Sequence, residues 1–533
     1  MKKTMKQYSF ASQLRSLAVV FGIALTFASC AKEDVAQNPT KKEGDNDKNL
    51  TTFVAGDEAK TRTSLDYNSS DFSWEAGDYI YVKDDDGVMR KSTNAPTQKV
   101  ASFRYRVPGK FGASASYKVY YLGKNSNGSQ VTISANQTQT APDNTEHFGT
   151  AGDYGTATAT GAVGGNIFSF QLEHQPAYLV FQPYTSNTIL QDCYLTKVEV
   201  ISDNDIAETY TVNPTTGALD ASTVTNGDKI VLTTSGSSYN NGFPLTNSAA
   251  NVTTNGAYMV IKPGTHTLRV RYWVKDVATN VEGTITKTLP STTYASNTYY
   301  DMTVDLNIRY YDGDHYYMWD AQQQCWYGYE WTKHLPGNTG QPTLNGKSSS
   351  AYIQSITDPR YYNGSFPGRG VSNPAIHSCK DLPNVNELSW YVMYGDPRWD
   401  GDELWTTMGH LYKGGMWFKK KSVLQAENHY DTEKSADGTT DMRTTWMDYR
   451  NSNSSINNSG LPSAADAGNY FFLPALGHYY ANRLYNVGVN GSYWSSSANP
   501  DASWDAFSLE FSSGDVIVGN GRRFNVLRVG GFE

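Results

Sequence analysis

Leu268-Arg269-Val270-Arg271-Tyr272-Trp273-Val274 reads as a β-strand. Apolar and basic side chains alternate at its start, and Val, Tyr and Trp suit a pleated surface. Shorter runs of the same kind lie upstream. They are Tyr79-Ile80-Tyr81-Val82, Tyr117-Lys118-Val119-Tyr120-Tyr121, residues 167–172, Tyr178-Leu179-Val180-Phe181, Lys197-Val198-Glu199-Val200-Ile201 and Tyr258-Met259-Val260-Ile261. Turn residues separate them, as in Asp84-Asp85-Asp86-Gly87. No long stretch of residues 51–306 has helical periodicity. Short alternating strands between Gly, Asn and Asp turns predict β-sandwiches.

Tryptophan marks the main boundary. Only Trp74 and Trp273 of the 12 tryptophans precede residue 306, so a different composition begins near 306–310. Residues 307–533 are rich in aromatics, Gly, Asn and Ser. In residues 507–511, Phe507, Leu509 and Phe511 face one way and Ser508 and Glu510 the other. Leu509, Phe511, Val516 and Val518 then form core, and their neighbours are free to vary.

The first 30 residues decide the compartment. Lys2, Lys3, Lys6 and Arg15 precede an apolar run over residues 17–28. That run is too short for a membrane-spanning helix, which needs ~20 residues. It has the length of a signal-peptide core. Phe27-Ala28-Ser29-Cys30 resembles a bacterial lipobox, with Phe27 in place of the usual Leu, which implies acylation of Cys30 and an outer-membrane lipid anchor. Ala31-Lys32-Glu33-Asp34 resembles the acidic tag that sends Bacteroidetes lipoproteins to the cell surface. The polar segment that follows, to residue 50, reads as a tether.

Net charge is −8, which argues against nucleic acid as a partner. Beyond Cys30 there are Cys193, Cys325 and Cys379. An odd count leaves at least one unpaired, and Cys325 and Cys379, in the same C-terminal region, could pair, which sequence alone does not decide.

The N-terminal half resembles the fimbrillin family, subunits of Bacteroidetes type V pili. Four ordered motifs carry the resemblance. The first is Lys60-Thr61-Arg62-Thr63-Ser64-Leu65 followed by Phe72-Ser73-Trp74-Glu75-Ala76-Gly77-Asp78. The second is Gln130-Val131-Thr132-Ile133 with Gln137-Thr138-Gln139. The third spans residues 170–181 around His174-Gln175-Pro176. The fourth is Tyr258-Met259-Val260-Ile261-Lys262-Pro263-Gly264. The resemblance implies two tandem β-sandwiches, over 51–186 and 187–306. It also implies that an N-terminal strand, here 51–58, is cut away at Lys60 or Arg62. A donor strand from another pilin subunit then fills the groove. His174 has no second ligand at metal spacing and is read as structural, and Trp74 as a packing residue.

The tail resembles bacterial C-type-lectin-like domains, through Tyr493-Trp494-Ser495-Ser496-Ser497 and the closing Leu527-Arg528-Val529. An α+β domain over 307–533 follows from that likeness. The tail is also similar to variable regions diversified by retroelements. That likeness implies displayed ligand-binding positions at Tyr479, Tyr480, Tyr485, Ser492, Trp504, Asp505, Ser508, Glu510, Asp515, Ile517, Arg522 and Phe524. An invariant domain with an ordinary polar surface is the alternative. Tyr and Trp would give rigid contact area there, and Ser and Asp adaptable hydrogen bonds.

Other chemistry has little support. No Cys follows Cys379, which counts against formylglycine-generating activity. The chain lacks the Glu-Pro-Asn, Gln-Pro-Asp and Trp-Asn-Asp signatures of calcium-dependent lectins, although sugars can still stack on aromatics. Asp396, Asp400, Asp402 and Glu403 share a segment read as a loop. They are candidates for calcium, for a glycosidase acid pair, or for a solvated turn. The run from Gly340 to Gly346-Lys347-Ser348 is one residue too long for a P-loop. His-Glu-x-x-His and Gly-x-Ser-x-Gly are both absent.

The expectation is therefore a mainly β, non-enzymatic surface adhesin with no required cofactor, at the tip of a type V pilus. A host, microbial or glycan ligand would bind the C-terminal domain. Two rivals stand beside it. One is a lipoprotein that binds glycan or host protein without a pilus. The other is a surface glycan-degrading enzyme.

Overall fold

A computed structural model describes residues 5–9, 50–56, 64–67, 71–124, 126–213, 216–330, 353, 355–364, 375–453, 456, 461–480 and 483–532. The protein is mainly β, with 43% of the described residues in strands and 8% in helices. It divides into two compact units. One comprises residues 1–274 and 289–306, the other residues 275–288 and 307–533.

In the first unit, strand Leu50–Ala55 lies inside a sheet. It pairs parallel with Ile167–Phe170 on one side and antiparallel with Phe103–Pro108 on the other. The sheet continues through Gly155–Gly161, Ser116–Tyr121 and Tyr81–Lys83. Alternation explains its core. Phe53, Ala55, Tyr105, Val107, Tyr117, Val119 and Phe168 point inward, and Trp74 is fully buried against Tyr105, Tyr121 and Phe170.

A second sheet runs Met5–Ser9, Thr298–Asp305, Ala177–Tyr184 and Ala257–Ile261. A third carries Asn136–Gln139, Lys229–Thr234, Tyr194–Ser202 and Leu268–Asp276. The 268–276 strand, predicted from its alternation, buries every side chain from Leu268 to Tyr272. Arg269 and Arg271 are thus inside, where alternation alone would put them in water. Glu199, 3.6 Å from the Arg271 guanidinium, offsets one of those charges.

The outer edge of the 257–261 strand is closed by side chains. Gln139 Nε2 donates to the carbonyl of Gly256 (2.8 Å), and its Oε1 accepts from the Tyr258 amide (2.7 Å). Gln137 brackets Val260 in the same way, at 2.7 and 3.0 Å. His147 Nε2 donates to the Tyr258 carbonyl at 2.9 Å. Side-chain amides here stand in for a neighbouring strand, so buried backbone groups find partners.

His174 is buried as a structural residue. Its Nδ1 lies 3.0 Å from Asp153 Oδ1, which also accepts from the Tyr178 hydroxyl at 2.7 Å.

In the second unit, one sheet carries Arg398–Thr407, His410–Lys419 and Tyr470–Pro474. Another is ordered Tyr449–Asn451, Val516–Arg522, Asp505–Phe511, Gly491–Ala498, Val526–Arg528 and His478–Tyr480. Tyr316–Met318 pairs with 526–528. A ten-residue helix, Val385–Tyr394, packs into the core through Val385, Leu388, Tyr391 and Val392. Asn384 caps it by accepting from the Glu387 amide while Glu387 accepts from the Asn384 amide.

Two expectations need correction. The acidic segment at 398–407 is a strand with a bulge between Asp400 and Leu404, not a loop. Cys325 and Cys379 are two separate buried thiols with no disulfide between them. The Cys379 sulfur accepts from the Asp320 amide at 3.2 Å, and burial pushes its pKa up.

Candidate ligand-binding surface of the C-terminal unit

The twelve tail positions fall into four groups, three of them at the surface. Trp504, Arg522 and Phe524 are exposed together, with Trp504 at 60% and Phe524 at 43%. The backbone bond from the Arg523 amide to the Trp504 carbonyl (2.8 Å) holds them side by side. Tyr480 and Tyr485 form a second exposed pair, their rings 6.5 Å apart across a hairpin. Asp515 and Ile517 lie further along the sheet and are half-buried, with Glu510 exposed beside Ile517 in register. Asp515 is 2.7 Å from the Arg450 guanidinium.

Tyr479, Ser492, Asp505 and Ser508 are buried, contrary to expectation. Tyr479 alternates inward between Tyr316 and Trp326, and its hydroxyl meets the Met408 sulfur at 3.4 Å. Ser492 and Ser508 fail for a different reason. The sheet carries core on both faces, one built from Tyr493, Phe507, Leu509 and Phe511, the other from Trp319, Trp494 and Ala506. Period two therefore does not separate packing from display at this end. Asp505 is covered by Asn520 (2.9 Å) and ion-paired with the exposed Arg522 at 3.2 Å.

Sequence reasoning passed over Arg523, which is fully buried between the exposed Arg522 and Phe524. Its guanidinium carbon lies 4.6 Å from the Trp319 ring centroid, and its Nε donates to the Asp505 carbonyl at 3.0 Å. Burial pulls its pKa down to about 10. Alternation was the available signal, since 522 and 524 point out and 523 in.

The four acidic candidates do not converge. Asp396 accepts from Tyr470 (2.7 Å) and Arg398 (2.9 Å). Asp400 is buried and accepts from the Trp417 indole at 3.2 Å. Asp402 pairs with Lys413 at 3.3 Å. Glu403 accepts from the Thr286 hydroxyl at 2.6 Å. Among the described residues no group of three or more His, Cys, Asp or Glu could hold a metal ion. None of their helices is long and apolar enough to cross a membrane. Cys30, Lys60 and Arg62 lie outside the described residues.

No family model and no curated protein matches the chain. Among solved structures, a proposed cell adhesion protein from Bacteroides ovatus is similar at 14% identity and a TM-score of 0.31, over 48% of this chain and 93% of that one. A fimbrial protein from Bacteroides ovatus is similar at 12% identity and 0.23, over 90% of this chain and 98% of that one. The fimbrial anchor protein Mfa2 from Porphyromonas gingivalis is similar at 11% and 0.22, over 46% and 83%. These scores fall short of establishing a common fold.

Proposed function

We propose that the protein is a lipid-anchored surface adhesin that joins a pilus by strand exchange and binds its ligand through residues 307–533. The observation that carries the pilus half is the seat of strand 50–55. It is paired along both edges, and Phe53 stacks on Phe168 at 5.4 Å and meets Phe111 at 5.2 Å. A cut at Lys60 or Arg62 would free this strand at its C-terminal end. Its departure would leave a slot between 103–108 and 167–170, with unpaired backbone on both sides and an aromatic pocket. An incoming donor strand with a large apolar residue satisfies both. Processing at Cys30 would also take Met5–Ser9 from the edge of 298–305.

A tip position, with residues 307–533 as the binding part, belongs to this reading. The exposed Trp504 and Phe524 offer the rigid aromatic area that recognition uses.

Immunogold labelling of intact cells with antibody to 307–533 tests this reading. Gold at the ends of thin filaments is expected. Gold spread over the cell body with none on filaments would remove the pilus and leave a lipid-anchored binding protein.

A further inference from the structure

The C-terminal end of the 385–394 helix borders a cleft of about 260 Å³ that none of the tail positions lines. Tyr394, His429, Asp396, Glu427, Lys419 and Asn453 are among its walls.

One wall is a stack of rings. Tyr394 lies over His429 with centroids 4.1 Å apart and planes 16° from parallel. Trp390 backs them, 5.4 Å from Tyr394, and is pinned by its indole bond to the Lys434 carbonyl at 2.9 Å. Tyr394 is 38% exposed and Met393 42%. A flat aromatic face is thus held rigid and open.

The other wall is polar and electrically balanced. Glu427 is paired with Lys419 at 2.7 Å, and Asp396 with Arg398 at 2.9 Å. Asp396 is held at φ +43°, in the left-handed region that non-glycine residues seldom adopt. The Lys419 amide donates to the Gly395 carbonyl at 2.8 Å, which ties this wall to the helix end. The Asn453 amide donates to Asn451 Oδ1 at 3.1 Å, and the Asn451 side chain bonds back to the Val392 carbonyl at 2.9 Å. Among the described residues, the Asn453 side-chain amide and the Tyr394 hydroxyl have no hydrogen-bond partner.

A rigid aromatic face opposite carboxylates and an amide suits one chemistry. The ligand needs an apolar flat side and a rim of hydroxyls, and it needs no net charge because each ion in the wall is already paired. We propose that this cleft binds a neutral pyranoside, stacked on Tyr394 and hydrogen-bonded to Asp396, Glu427 and Asn453. The volume is below the roughly 300 Å³ at which drug-sized pockets begin, which fits one or two sugar rings. The inference rests on the C-terminal unit being the binding part. It needs neither the pilus nor a diversified tail.

The test is a saturation-transfer NMR titration of the purified full chain with methyl β-galactopyranoside, methyl α-mannopyranoside and N-acetylglucosamine. Sorbitol, which has no ring to stack, is the control. Saturable binding of at least one pyranoside but not sorbitol is expected. Tyr394→Ala should weaken it by about tenfold or more, Tyr394→Phe should hold it within about threefold, and Asn453→Ala should fall between. Trp446→Ala, which removes an exposed ring outside the cleft, should leave it unchanged. Loss in Trp504→Ala with none in Tyr394→Ala overturns the cleft but keeps the binding unit. Equal binding of sorbitol, equal loss in Tyr394→Phe and Tyr394→Ala, or no binding of any of the three overturns the proposal.

Discussion

Replacing Gln139 or Gln137 with Ala should unfasten the 257–261 edge. Both side chains are almost wholly buried, at 0% and 3% exposure. Each makes a donor and an acceptor bond to that strand. Gln137→Ala leaves the Val260 amide and carbonyl without partners, whereas Gln139→Ala strands the Tyr258 amide alone, since the Gly256 carbonyl keeps the Asp143 amide at 3.0 Å. An unsatisfied buried group costs about 1–3 kcal/mol, so Gln137→Ala should lose roughly 2–4 kcal/mol after partial relaxation and Gln139→Ala about 1–3 kcal/mol. Gln139→Glu should lose at least as much as Gln139→Ala, because it sets a buried carboxylate against the Gly256 carbonyl, to which it cannot donate.

Hydrogen exchange reads the effect where it arises. Protection of the Tyr258 amide should fall by about tenfold in Gln139→Ala, and that of Val260 by about 30-fold in Gln137→Ala. Thr138, exposed between them, serves as the control. Unchanged protection at both amides, with unfolding midpoints matching Thr138→Ala, would show that the side chains do not close the edge.

Three further outcomes follow from the same packing. Burial opposes a second proton on His147 more strongly than the hydrogen bond to the Tyr258 carbonyl favours one, so its pKa falls from 6.5 to about 4. The unfolded chain then binds more protons between these values, and stability should be full above pH 6.5 and drop by up to about 3 kcal/mol as pH falls through that window. His147→Gln should remove that part of the pH dependence in urea titrations. Phe53→Ala should cost about 3–5 kcal/mol, measured on the uncleaved chain by the same titration. Tyr479→Ala should cost a similar amount, whereas Trp504→Ala should stay within about 0.5 kcal/mol, which separates core from display in the tail.

The legible parts of this chain are those governed by local periodicity. Residues 117–121, 178–181, 258–261 and 507–511 alternate or form unbroken apolar runs, and each is a strand. The 385–394 helix also left a mark, Asn384 followed by Glu387 and then Leu388, Tyr391 and Val392, although a strand-dominated reading passes over it. What escaped depends on covering layers. Ser508 looks like a surface residue until the Trp319–Trp494 cluster is laid over it. Asp396, Asp400, Asp402 and Glu403 look like one cluster, but a bulged strand sends each carboxylate to a different partner. Gln137 and Gln139 were visible as a motif, but their partners lie more than 100 residues away, where no local signal reaches.

The two ways in which this fold satisfies strand edges have different consequences for assembly. The 257–261 edge is closed by side chains that belong to other strands and loops of the same unit. No single backbone cut removes them, so this edge stays shut to an incoming chain unless the local structure melts. The slot between 103–108 and 167–170 is closed by one six-residue strand near the start of the described fold, with Lys60 and Arg62 a few residues after it in sequence. Such a closure can be withdrawn whole by proteolysis. If strand exchange builds a pilus, it should be directional, because only one of these edges can be vacated. A peptide with the sequence of residues 50–56, added to chain cleaved after Arg62, should therefore rebind in the slot and restore stability. The same peptide with Phe53→Asp should not, since the Phe111–Tyr117–Phe168 pocket has nothing to offer a charge.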